Sequence, residues 1–159
     1  MSASADDRPS GPLSSAAQAA LEAVHVAFAD APRPTDPELL HPDAGDDGDI
    51  VALYTRDRWQ DVPDATIEGE YAALFFLSAG GFRWYLPACL SWVLRHPDSG
   101  AAVEGATLMA LTPPLDEPLR SFGRSKFVLL DDGQREAVRG ALKAMHASDE
   151  VEGALGHWA

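Results

Sequence analysis

Apolar positions recur at helical spacing through most of the chain, and prolines and glycines divide them into segments. Leu21, Val24 and Phe28 stand at i, i+3 and i+7 with alanines between them, which predicts a first helix opening at Ser14 or Ser15. Ser15 and Gln18 have the spacing of a capping box at that start. Three prolines follow within residues 30–37, and proline has no N–H to continue a helix, so this stretch reads as a break. Residues 50–56 read as a short helix or a strand. Asp64 can cap a further helix that sets Ile67, Tyr71, Leu74 and Phe75 on one face, and Ser78-Ala79-Gly80-Gly81 reads as a break after it.

The most apolar element spans residues 82–95. Phe82, Tyr85, Leu86, Cys89, Leu90 and Val93 form one stripe, while Trp84, Trp92 and Leu94 lie off it. A helix apolar nearly all round belongs at the centre of a bundle. Pro87 fits its middle badly, because it cannot donate to the carbonyl of Arg83. Either two helices meet there or one helix is kinked there. Residues 103–111 read as a helix closed by Thr112-Pro113-Pro114, residues 114–124 as a loop and residues 126–130 as extended chain. Asp131 and Gln134 are spaced as a capping pair. The helix they open carries Ala137, Val138, Ala141, Leu142 and Met145 inward to about His146, with Arg135, Arg139 and Lys143 on its outer face. Residues 149–158 read as a short docking helix, and residues 1–13 as a disordered lead.

The expected fold is therefore mainly α: a single-domain helical bundle over residues 14–159 around the 82–95 helix. A small β element formed near Ile50 and Phe127 is the alternative. The 159 residues suit one domain. Cys89 is the only cysteine, which excludes an intramolecular disulfide and any zinc site needing two thiolates. The longest apolar stretch, residues 84–94, is interrupted by Pro87 and Ser91 and falls short of the roughly 20 residues that span a bilayer. Residues 1–13 hold no apolar signal core. A soluble, cytoplasmic protein is expected. Two lysines against ten arginines, with abundant Ala, Gly and Pro, resemble the usage of GC-rich bacterial genomes.

Charge sharpens the picture. Of the net −13, residues 1–70 carry 15 acids and 4 bases, or −11, whereas residues 71–130 carry 4 acids and 5 bases, or +1. Binding to nucleic acid or to an anionic membrane needs clustered Lys and Arg, which the sequence does not offer. An acidic surface keeps a protein soluble, and it also suits a basic protein partner.

Candidate chemistry is sparse. The acidic stretch with Asp43, Asp46, Asp47 and Asp49 invites a calcium reading, but in an EF-hand register with Gly48 sixth, the third position is Gly45 and the twelfth is Tyr54. The stretch reads better as a solvated turn or an interaction patch. His-Pro-Asp occurs at residues 41–43 and 96–98 and resembles the loop motif of J-domain co-chaperones, yet no basic helix precedes either copy. There is no Gly-x-Ser-x-Gly elbow and no phosphate-cradling glycine loop. The five histidines show no i, i+4 pair, so the sequence implies no metal and no cofactor. Cys89 reads as a core residue. Arg83, Trp84 and Tyr85, with the carbonyl freed by Pro87, could form a notch for a ligand; packing is the competing role for these rings.

The same residues resemble an uncharacterised bacterial domain-of-unknown-function family. The likeness rests on Trp59-Gln60-Asp61-Val62, on Gly81-Phe82-Arg83-Trp84-Tyr85-Leu86-Pro87-Ala88, on Leu111-Thr112-Pro113-Pro114, and on the Gln134–Arg139 stretch, in that order. It covers roughly residues 41–158. Trp84 stands where the family more usually has tyrosine. The resemblance implies no activity, cofactor or catalytic residue. The function expected from all this is a non-enzymatic, acidic protein-interaction domain with a basic partner, in one form immunity- or antitoxin-like. The alternative is a small-molecule binder or enzyme using a pocket at Arg83, Trp84 and Tyr85.

Overall fold

A computed structural model describes residues 12–41, 53 and 56–158, and among them the chain is an α-helical bundle with no strand or sheet. Its helices are α1 (Ser15–Ala27), α2 (Asp36–Leu39), α3 (Asp64–Gly69), α4 (Ala79–Arg95), α5 (Ala102–Ala110), α6 (Leu119–Ser125), α7 (Asp132–Ala144) and α8 (Asp149–Trp158). Short 3-10 turns at Trp59–Asp61 and Ala73–Phe75 complete the order. No described helix is long and apolar enough to cross a membrane.

The apolar 82–95 pattern becomes the axis of the molecule. Every residue of α4 from Gly81 to Leu94 except Arg83 is buried. One helix continues through Pro87, so the two-helix reading fails. A proline costs an isolated helix about 3 kcal/mol, but burial on all sides of α4 offsets that. Around it, α1 packs on α7 and α4, α5 packs on α4 and α8, and α8 closes against α7.

The four tryptophans fasten this arrangement. Each is buried, and each indole N–H donates to a distant part of the chain. Trp59 reaches Phe28 O at 2.8 Å, Trp84 reaches Asp57 O at 3.3 Å, and Trp92 reaches a Glu68 carboxylate oxygen at 3.1 Å. Trp158 reaches Leu111 O at 2.9 Å, which docks α8. A buried indole needs a partner for its one donor, and here the partner is always another segment.

Several expectations are corrected. Ser14, not Ser15, caps α1, its hydroxyl accepting from Ala17 N, because Ser15 already lies inside the helix. The break over residues 30–37 ends early: α2 starts at Asp36, with Pro37 in its first turn, where a missing N–H does no harm. The helix from Asp64 stops at Gly69, so Tyr71 is exposed and Leu74 is buried from a separate turn. Pro63 holds the cap position there, and the Asp64 carboxylate pairs with Arg95 instead. Residues 78–81 are no break: Ser78 caps α4, accepting from Gly81 N.

Residues 114–124 are not a loop throughout, since α6 forms from Leu119, with Pro118 at its cap. Residues 126–130 are not extended. Lys126 and Phe127 turn inward, Phe127 meeting the rings of Phe82 and Trp158 at 5.5 and 4.9 Å. The β alternative is also replaced. The one described β-bridge joins Leu40 to Leu77 and involves neither Ile50 nor Phe127, and most of residues 50–56 lie outside the described residues, Leu53 being buried. Asp131 and Gln134 do form the expected capping box of α7. Lys143 is exposed on α7's outer face as expected, but Arg135 and Arg139 are half-buried against α8 and the preceding turn.

Candidate functional site

A groove of about 460 Å³ opens where the start of α1, the ends of α4 and α7, and the first turn of α5 converge. Its walls are mostly apolar: Leu13, Ala17, Val93, Leu94, Pro97 and Met145. Three titratable side chains interrupt them, namely Asp98, Glu104 and His146.

Local sequence explains how each is placed. The second His-Pro-Asp ends α4: His96 is the C-cap residue, its ring stacked on Trp92 at 4.2 Å and its Nδ1 2.8 Å from Trp92 O. Pro97 cannot extend the helix, and Asp98 turns the chain at φ +56°, a left-handed conformation that Asp tolerates better than most residues. Glu104 sits in the first turn of α5. His146 follows α7 and stands 3.3 Å from an Asp98 carboxylate oxygen.

Burial in the apolar groove raises the Glu104 carboxyl above its usual range; the neighbouring Asp98 charge adds to this, and His146 partly offsets it. The groove thus holds two carboxylates against one imidazole. Asp98 and His146 are largely open to water, 63% and 76% exposed. Catalytic proton transfer works best in positioned, water-excluded groups. An exposed carboxylate, Asp98, beside a half-buried one, Glu104, on an apolar floor suits the binding of a cation with an apolar flank.

Another groove, about 320 Å³, lies between α1, α3 and α4. Arg95 closes one side through a two-pronged pair with Asp64, at 2.9 and 2.7 Å. The Arg95 bonds hold the Asp64 carboxyl below its usual range, against a smaller opposing effect of burial. Trp59, Gln60, Val62 and Ala88, from two of the stretches singled out in the sequence, line this groove with His25 and Ser91. The Ser91 hydroxyl is buried without a hydrogen-bond partner.

The residues singled out as a notch are placed apart from both grooves. Trp84 and Tyr85 are wholly buried, and burial keeps the Tyr85 hydroxyl protonated far above the usual tyrosine range. Half-buried Arg83 donates from one terminal nitrogen to Leu129 O at 3.3 Å. Asp43, Asp46, Asp47 and Asp49 lie outside the described residues. Cys89 is buried, and burial pushes its thiol up to about 12. Sequence reading missed Glu104 and His146 as site residues because they come from separate segments, Glu104 from α5 and His146 from the chain just after α7. Only the His-Pro-Asp at residues 96–98 hinted at a turn with chemistry.

A family model described as "Family of unknown function (DUF6714)" matches residues 21–158, from within α1 to the end of α8. No curated protein and no solved structure matches the chain.

Proposed function

The chain belongs to this family of unknown function, and on that premise we propose that it is a non-catalytic interaction domain for a basic partner protein. The partner segment would place a lysine or arginine between Asp98 and Glu104 and its apolar neighbours on Leu13, Pro97 and Met145. The observation that carries this reading is the pairing of Asp98 with Glu104 in a mostly apolar groove, with only an imidazole among the described lining residues to oppose them. A guanidinium or ammonium supplies the missing charge, and its aliphatic stem covers apolar wall. The acidic stretch holding Asp43, Asp46, Asp47 and Asp49 adds long-range attraction to the same partner. An immunity- or antitoxin-like role against a basic toxin is one form of this, by analogy with other small acidic inhibitors.

Fluorescence anisotropy tests it with a leucine-flanked dilysine peptide at physiological ionic strength. Replacing both groove carboxylates, Asp98→Asn with Glu104→Gln, is expected to weaken binding about tenfold. Asparagine retains the left-handed turn at residue 98. A control carrying Glu22→Gln with Asp30→Asn removes the same charge from exposed positions and is expected to bind nearly as wild type. Equal weakening in the two variants would show general attraction to an acidic surface and end the proposal.

A further inference from the structure

A third groove, about 280 Å³, carries the opposite charge. Pro113, Arg124, Phe127, Val128, Arg135 and His157 line it, and no carboxylate is among them. That is unexpected on a chain of net charge −13. Arg135 is held in place: its Nε donates to Leu130 O at 3.1 Å and one terminal nitrogen to Phe127 O at 2.8 Å. Its guanidinium also lies over the Trp158 ring, 5.9 Å from the centroid. The backbone carbonyls fix its orientation without neutralising it. Arg124, exposed on α6, has no side-chain hydrogen bond or ion pair among the described residues, and neither has His157.

Two guanidiniums sharing one groove without a counter-charge repel each other, and an oxyanion removes that repulsion. Guanidinium forks match the spacing of phosphate and carboxylate oxygens. Two permanent positive charges favour a dianion over a monoanion, and a phosphate monoester is mostly a dianion at neutral pH. Pro113, Phe127 and Val128 supply apolar wall for the body that carries it.

We propose that this groove binds a phosphate monoester with an apolar body, its phosphate held by Arg124 and Arg135 and faced by His157. The site is separate from the acidic groove and takes a ligand of opposite charge.

Isothermal titration with phenyl phosphate, in chloride buffer, tests it. Saturable binding is expected, with benzoate binding more weakly. Arg124→Ala is expected to weaken phenyl phosphate about tenfold, and Arg124→Lys to recover part of the loss. Because Arg124 is exposed and unpartnered, these variants keep the fold; thermal melting confirms that. Glu104→Gln is expected to leave phenyl phosphate binding unchanged, which separates this site from the basic-partner groove. No saturable heat at millimolar ligand, unchanged binding in Arg124→Ala, or benzoate binding as tightly as phenyl phosphate would each overturn the proposal.

Discussion

Lys126 occupies a buried position and forms no ion pair among the described residues. Its ammonium donates to Leu74 O at 2.9 Å and to Phe75 O at 2.5 Å, and lies 5.0 Å from the Phe122 ring centroid. Burial lowers its pKa to about 8, whereas an unfolded lysine keeps its proton to about 10.4. Between those values the unfolded state binds the extra proton, so this group's contribution to stability rises with pH. Below about 8 both states are charged and the burial cost is fully present. Urea denaturation of wild type and Lys126→Met is expected to show wild type gaining on the variant from pH 7.5 to pH 10; a constant difference would contradict the lowered value. Cys89 gives a second expectation. The thiolate is the reactive form, and a buried thiol raised to about 12 supplies almost none. Iodoacetamide is expected to label it only as fast as the protein opens, and fast labelling of the folded protein would place Cys89 outside the core. The apolar stripe made Cys89 legible as core. Nothing in the local sequence marked Lys126, because its acceptors lie 52 and 51 residues away.

At the scale of elements, the start of α4 is the most instructive. Glycine lowers helix propensity, so Gly80-Gly81 looks like a break when read locally. In the fold, a Cβ on Gly81 would stand 2.5 Å from Leu39 O and 3.2 Å from the Leu77 side chain. The glycine is there because α4 begins against the chain at Leu39, where Ser78 N donates to Leu39 O at 2.9 Å. Gly81→Ala is therefore expected to destabilise, by about 2 kcal/mol, despite alanine's better propensity. A stabilised variant in chemical denaturation would show that α4 does not approach Leu39 so closely. The same logic explains α6. A proline-rich stretch reads as loop, yet the inward turn of Lys126 and Phe127 anchors the short helix before it. By contrast, the cap and apolar face of α7 were legible, since they lie within one run of residues, although Arg135 and Arg139 are half-buried and not on an outer face.

Across the whole molecule, charge is unevenly spread: −11 on residues 1–70 and +1 on residues 71–130. Self-repulsion among the acids opposes compaction, and salt screens it. The Debye length falls from about 30 Å to about 10 Å between 0.01 M and 0.1 M salt. The urea midpoint is accordingly expected to rise as sodium chloride increases over that range. A flat or falling midpoint would mean that the acids are locally compensated. The two proposed sites differ in sign on one scaffold, so salt is expected to weaken binding at each of them while it stabilises the fold.

Sequence alone determined the helical class, the central place of α4 and the docking of α8, because each depends on apolar periodicity within one continuous segment. It also determined the acidic balance, which is a sum over residues and needs no geometry. Only the tertiary structure decided that α4 continues through Pro87 and that Gly81 lies in its first turn. It alone brought Asp98 and Glu104 together, and Arg124, Arg135 and His157. Asp98 lies in the turn after α4 and Glu104 in α5, while Arg124, Arg135 and His157 lie on α6, α7 and α8, so these groupings depend on how the turn and the helices pack. Periodicity places a residue on a face, whereas packing decides what that face meets.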